Sequence, residues 1–265
     1  MLVMKTSING ISINYRDQGR GIPVILIHAF PMNQTMWDDQ VLALAPICRV
    51  ITMDLRGFGA SDIPLGPYWM ALMASDVRGV MARLGIERAV LVGLSMGGYV
   101  AMSFYRNFPD SVSGLVLADT RAAGDNPEGR ERRFASASKA EREGVESILD
   151  EMVQVLLSQT AISTRPDVVN RVRQIALQNH PEGLAAAQRG MAARPDSTDL
   201  LTRTDCPALV IVGADDRLSP PQEATRWQER MPNSRLAIIH GAGHLSNIEQ
   251  PDLFNQALAN FISTL

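Results

Sequence analysis

Apolar and polar residues alternate over residues 2–8 and 11–17, on either side of Asn9-Gly10. Period two puts successive side chains on opposite faces of a strand, and Asn-Gly tolerates the positive φ of a tight turn, so this stretch predicts a β-hairpin. The pattern then changes. PVILIHA (23–29) is an unbroken apolar run, and CRVITMD (48–54), AVLVG (89–93), GLVLAD (114–119), PALVIVG (207–213) and RLAIIH (235–240) resemble it. A short run with no polar face is the signature of a strand covered on both sides. Helical spacing falls between these runs, at 34–45, 68–84, 96–107, 221–231 and 251–264. Strand and helix in alternation predict an α/β fold with a mostly parallel sheet and helices on both faces, the hairpin adding antiparallel strands at one edge.

The alternation stops between Thr120 and Asp205. Val145, Ile148, Leu149, Met152, Val153 and Leu156 recur at i, i+3, i+4, i+7, which predicts an amphipathic helix, and further helices are expected near 167–179 and 182–193. This reading divides the chain into a core, 1–120 and 205–265, and an inserted all-helical cap, 121–204. The cap is expected to sit over the strand ends. It carries 12 basic and 12 acidic residues and so no net charge. Met152, Leu156, Leu157 and Met191 are its candidate pocket-lining residues, although apolar helical spacing serves core packing equally well.

Composition narrows the class. A chain of 265 residues with 46% hydrophobic and 20% charged residues buries a sizeable core without staples. Its 25 basic and 28 acidic residues give a net charge of −3 with no block of like charge, which argues against nucleic acid or an anionic membrane as partner. The N-terminus lacks a long apolar segment followed by a cleavage site, and the longest apolar run, Ile22–Phe30, is too short to span a bilayer. Cys48 and Cys206 read as two buried free thiols, not as a disulfide framework or a metal cluster. A cytoplasmic protein is expected, with homo-oligomerisation left open.

Candidate chemistry centres on VLVGLSMGGYVAMSFY (90–105), where an apolar strand breaks at Gly93-Leu94-Ser95-Met96-Gly97-Gly98 and resumes as a helix. A strand that turns directly into a helix forces its turn residue into a strained backbone conformation, and glycines at 93 and 97 remove the collisions this would cause. The result is an exposed Ser95 hydroxyl at a helix N-terminus, the G-x-S-x-G nucleophile elbow. A serine needs a base. Of four histidines, His180 lies in the insertion, His240 and His28 end strands, and His244 lies in a glycine-rich loop at the expected sheet edge, so His244 is the candidate. His28 is placed to shape the loop that follows it.

The base needs an orienting carboxylate, and Asp215 and Asp216 both follow the 207–213 strand. Asp119 is a rival by position. Asp54, in an Asp-x-Arg spacing beside glycines, reads as part of a loop held by an ion pair. An oxyanion requires backbone donors. Met96 supplies one at the helix N-terminus and Phe30 the other from the loop after VILIHAF, because Pro31 has no N–H.

HAFPM, DLRGFGASD, GLSMGG, GADDRLSP and GAGHLSNIEQP together resemble the motif series of the α/β-hydrolase superfamily, across residues 2–120 and 205–265. Within it the chain is similar to the branch of 3-oxoadipate enol-lactonases, cofactor-free haloperoxidases (perhydrolases) and carboxylesterases. GASDIPLGPY and HLSNIEQP look most like the lactonases, and Phe30-Pro31 resembles the haloperoxidases. Ala29 departs from the glycine common in the family. The family's Gly-x-x-Asp pattern, counted from Gly213, implies Asp216 as the acid and leaves Asp215 to help hold the turn. The resemblance implies a serine hydrolase of carboxylic esters or lactones, with Ser95, Asp216 and His244 catalytic, Phe30 and Met96 as oxyanion donors, and no metal or organic cofactor. A perhydrolase and a non-catalytic binding protein are the alternatives.

Overall fold

The structure, a computed structural model, describes residues 4–265. Its hairpin joins β1 (Met4–Ile8) to β2 (Ile11–Gln18); Leu2 and Val3 of the expected hairpin lie outside the described residues. Asn9 and Gly10 take φ of 51° and 79°, the paired positive values that match a hairpin turn to the strands' twist. The remaining strands are β3 (Pro23–Ile27), β4 (Arg49–Met53), β5 (Ala89–Leu94), β6 (Val112–Ala118), β7 (Ala208–Gly213) and β8 (Ser234–Ile239). They form one sheet in the order β1-β2-β4-β3-β5-β6-β7-β8, with β1–β2 and β2–β4 antiparallel and every other pair parallel. Each residue of β5 and β7 is buried, as their continuous apolar runs require.

A 3-10 turn (Gln34–Trp37) leads into α1 (Asp38–Leu44), and α2 (Met70–Arg83) and α3 (Met96–Asn107) follow. After β6 come α4 (Pro127–Glu143), α5 (Glu146–Leu156), α6 (Gln159–Thr164), α7 (Pro166–Leu177), α8 (Pro181–Ala192) and α9 (Thr198–Leu201); α10 (Pro221–Gln228), α11 (Ser246–Glu249) and α12 (Pro251–Ile262) complete the chain. α1 packs on α12, and α2 on α3, in two helical layers against the sheet. Among the described residues no helix is long and apolar enough to cross a membrane.

The insertion holds more helix than its apolar periodicity predicts. α4 escapes that pattern because only Ala137 and Ala140 of its 17 residues are buried. It packs along α8, held by Arg189 donating to Glu141 at 2.6 Å, Arg133 donating to Gln188 Oε1 at 3.0 Å and the Gln188 side chain donating to Ser136, so polar and charged contacts seat it without an apolar stripe on α4. Its N-terminus is set by Asn126, whose side chain accepts from the Gly129 amide at 2.8 Å, with Pro127 in the first turn.

Three sequence expectations need correction. Arg56 pairs with Asp76 in a buried bidentate bridge (2.6 and 2.7 Å), not with Asp54. Asp54 instead accepts from the Asn14 side chain and from the Gln34 and Ala60 amides. Cys48 is buried but Cys206 is half-buried; burial pushes both thiols up to about 11, which leaves them poor nucleophiles at neutral pH. The Asp215 side chain is exposed and makes no hydrogen bond among the described residues, so the turn is held by its amide, which donates to Ala242 O at 2.9 Å.

Candidate active site

The carboxyl ends of β3, β5, β7 and β8 meet at one edge of the sheet. Ser95 follows β5 with φ 55° and ψ −113°, and α3 begins at the next residue. A Cβ on Gly97 would lie 2.1 Å from Ile27 O, and one on Gly93 would lie 2.2 Å from Gly97 O. The strand and helix therefore close to a distance that only glycine permits at these two positions. A strained non-glycine residue of this kind costs about 1–3 kcal/mol, which the surrounding contacts must offset. Here they include the Ser95 amide donating to Ala118 O and the Thr120 hydroxyl donating to Ser95 O at 2.8 Å.

His244 and Asp216 reach this serine from the loops after β8 and β7. His244 Nε2 lies 2.8 Å from Ser95 Oγ, and His244 Nδ1 lies 2.8 Å from Asp216 Oδ2. Asp216 is held in turn: its Oδ1 accepts from the Leu218 and Ser219 amides at 2.8 and 3.0 Å, and its Oδ2 from the Ser219 hydroxyl at 2.7 Å. Burial pushes the Asp216 carboxyl up, but the His244 charge and these hydrogen bonds outweigh it and hold the group below the usual carboxylate value. Burial likewise pulls His244 down, but the Asp216 carboxylate outweighs it and raises the imidazole above its ordinary value. The arrangement favours an ionised carboxylate beside an imidazole able to take up a proton.

Phe30 stands in the loop after β3, and Met96 is the first residue of α3. Among the described residues neither amide donates to another protein group, and Phe30 lines the same cavity as Ser95 and His244. The loop is braced by His28, whose Nε2 accepts from the Leu55 amide at 3.0 Å while its Nδ1 lies 2.9 Å from Ala29 O. Burial lowers the His28 pKa, so its ring is held neutral, as an acceptor at Nε2 requires. His180 and His240 are exposed and away from this cluster.

The cavity above Ser95 measures about 200 Å3. Met152, Leu156 and Met191 line it as expected; Leu157 does not, and is buried in the core at 1% exposure. Sequence reasoning passed over Arg121, Asp125 and Arg133, which also line it. It also passed over Ser219, although Asp216 with acceptors two and three residues ahead forms an Asx turn, a readable signal in DDRLS. Asp119 lies behind the catalytic candidates, accepting from the Gly213 amide at 2.8 Å and from the Ser246 hydroxyl. Burial, joined by the nearby Asp216 charge, raises its pKa well above the ordinary value. Among the described residues Asp119 makes no hydrogen bond to His244; the carboxylate on the imidazole Nδ1 is that of Asp216.

Glu249 in α11 was also missed. Its Oε1 accepts from the Gly243 amide at 2.8 Å, and its Oε2 from the Ser158 hydroxyl at 2.6 Å. Together with the Leu245 amide donating to Leu156 O at 3.0 Å, this fastens the His244 loop to the inserted helices.

Comparison with known proteins bears on the fold and its family. Residues 22–251 match a family model described as the alpha/beta hydrolase fold. A thermophilic esterase from Thermogutta terrifontis, solved with malate bound, superposes with a TM-score of 0.96 at 43% identity, over 100% of this chain and 99% of that one. The 3-oxoadipate enol-lactonase 2 of Acinetobacter baylyi is 28% identical over 94% of this chain and 92% of its own. The bromoperoxidase of Bacillus anthracis superposes with a TM-score of 0.86 at 27% identity, over 99% and 100% of the two chains. With its strand order, its serine elbow and this match over most of its length, the chain belongs to the α/β-hydrolase fold family.

Proposed function

We propose that this protein hydrolyses carboxylic esters or lactones of short chain length through an acyl-enzyme. The observation that carries the reading is the unbroken hydrogen-bonded line from Asp216 through His244 to Ser95, ending at a cavity that Ser95 and His244 both line. Ser95 Oγ attacks the acyl carbon while its proton passes to His244 Nε2. The carbonyl oxygen becomes an oxyanion and accepts from the Phe30 and Met96 amides, aided by the positive end of α3. Asp216 stabilises the imidazolium. As the tetrahedral intermediate collapses, His244 gives its proton to the departing alkoxide. Water then gives a proton to His244 and attacks the acyl carbon, releasing the acid and restoring Ser95. The inserted helices act as the cap that shapes the acyl pocket.

The test is Ser95→Ala assayed on a panel of p-nitrophenyl esters, 3-oxoadipate enol-lactone and simple lactones, with a fluorophosphonate as label. Wild-type protein is expected to hydrolyse members of the panel and to take up the label, and the variant to do neither, with kcat lower by about 10^4 to 10^6. A variant retaining a tenth of the wild-type rate would overturn the reading. A second reading, formation of peracids from carboxylic acids and hydrogen peroxide at the same serine, draws on the likeness to the bromoperoxidase and on Phe30 in the oxyanion loop. Halide oxidation in acetate and peroxide, exceeding ester hydrolysis in rate, would favour it.

A further inference from the structure

Met152, Leu156 and Leu218 give the cavity above Ser95 apolar walls, but two arginines, Arg121 and Arg133, line it as well. Arg133 uses Nε on Asp125 and Nη1 on Gln188 Oε1 at 3.0 Å; among the described residues its Nη2 donates to nothing. Arg121 uses Nε and Nη2 on Glu223, and its Nη1 is likewise unspent. Asp125 does not neutralise Arg133 alone, because Arg194 Nη1 also holds it at 2.6 Å from a buried position. Three arginines thus stand with two carboxylates, and the local charge is +1 in a chain whose net charge is −3.

Tyr99 adds to this end of the cavity. Its ring carries the Arg194 guanidinium at 4.1 Å, and its hydroxyl makes no hydrogen bond among the described residues although it lies near enough to Arg121 to interact electrostatically. A neutral ester in this cavity would leave guanidinium donors half-desolvated and unpaired, which is unfavourable for a charged group. A carboxylate would pair with them, and guanidinium is the side chain best suited to planar carboxylate recognition.

We infer that the substrate is an ester or lactone bearing a free carboxylate, which Arg133 binds with the help of Arg121 and the Tyr99 hydroxyl while Ser95 attacks the ester group. Arg133 is then the residue that sets specificity. The inference rests on the hydrolase reading above, and it adds the charge of the substrate.

Two matched pairs of substrates test it. Methyl hydrogen succinate is compared with its neutral isostere methyl 4-methylpentanoate, which places the charge on the acyl side. Acetoxyacetate is compared with isobutyl acetate, which places it on the alcohol side. In at least one pair the anion is expected to show about tenfold or more higher kcat/KM, and Arg133→Gln is expected to bring that ratio to within about threefold of unity. Preference for the neutral ester in both pairs, or a ratio that survives the substitution, would overturn the inference. Calorimetry on Ser95→Ala protein separates this outcome from a failure of the hydrolase reading and does not depend on folding of the Arg133 variant. Succinate is expected to bind and succinamide not to. If no ester is turned over yet succinate alone binds, the hydrolysis reading has failed and the anion site stands; equal binding of the two, or binding of neither, removes the anion site.

Discussion

Asp215 and Asp216 are adjacent in sequence and opposite in circumstance. Asp216 is buried, accepts four hydrogen bonds and faces His244; Asp215 points into solvent. Asp216→Asn is expected to lower kcat about 10^4-fold, because an amide no longer fixes the productive imidazole tautomer. Asp215→Asn is expected to leave both kcat and stability nearly unchanged, within about 0.5 kcal/mol for stability. Ester kinetics and urea denaturation of the two purified variants decide between them, and a crippled Asp215→Asn would reverse the assignment. Asp216 and His244 are expected to set the pH profile. His244 must be neutral to take the serine proton, so activity is lost as pH falls through its pKa. Asp216 raises that pKa, so the acid limb of kcat/KM is expected above the ordinary histidine value of 6.5, and Asp216→Asn is expected to move it toward lower pH. A wild-type limb below 6.5 would show that the Asp216 charge does not dominate at this imidazole.

Glu249 connects two elements that the sheet alone would leave independent: the loop carrying His244 and the start of α6 at Ser158. Glu249→Ala strips the acceptor from the buried Gly243 and Ser158 amides and from the Ser158 hydroxyl. Each orphaned donor costs about 1–3 kcal/mol, so a loss of about 2 kcal/mol or more in urea unfolding is expected, with a lower kcat as His244 loses its bracing. Glu249→Gln keeps one acceptor and should fall between the two. If Glu249→Ala is as stable and as active as wild type, the link does nothing. Elements of this kind also mark how far the sequence could be read. The central strands β3 to β7 were legible because each is an apolar run buried on both faces, the hairpin by its alternation, and Ser95 because its glycines record a steric demand of the local backbone; β8 reads as the same kind of run but lies at the sheet edge with most of its residues partly exposed. α4 was not legible, because polar and charged contacts settle it on α8 without an apolar stripe. Glu249 was not legible as a brace either, since its partners, Gly243 and Ser158, are fixed by how the insertion meets the core. Arg133 is the same case: its role depends on Asp125, Gln188 and Ser95, which come from three separate parts of the chain.

At the scale of the whole molecule, Ser95 and His244 are 149 residues apart and meet only because β5 and β8 end at the same edge of one sheet. The insertion between β6 and β7 then decides how much room lies above them. The resulting cavity of about 200 Å3 is bounded by Met152, Leu156 and Met191 on the insertion side and by Phe30 and Leu218 on the core side. A short acyl chain has room within it, and a long one has to displace the helices or leave its end in water. Each methylene that fits is stabilised by about 0.8 kcal/mol through burial, so kcat/KM is expected to rise from acetate toward butyrate or hexanoate. Beyond that length the gain stops and overpacking sets in, at about 1–3 kcal/mol for forced repacking. Decanoate and laurate esters are therefore expected to be at least tenfold worse than the optimum, consistent with a loss of about 1.4 kcal/mol. The measurement is kcat/KM across p-nitrophenyl acetate, butyrate, hexanoate, octanoate, decanoate and laurate at concentrations below micelle formation. Replacing Met191 by Ala enlarges the cavity from the α8 side and should shift the optimum to a longer chain. An optimum at laurate in the wild type, or one that Met191→Ala leaves in place, would mean that the acyl group does not lie in this cavity.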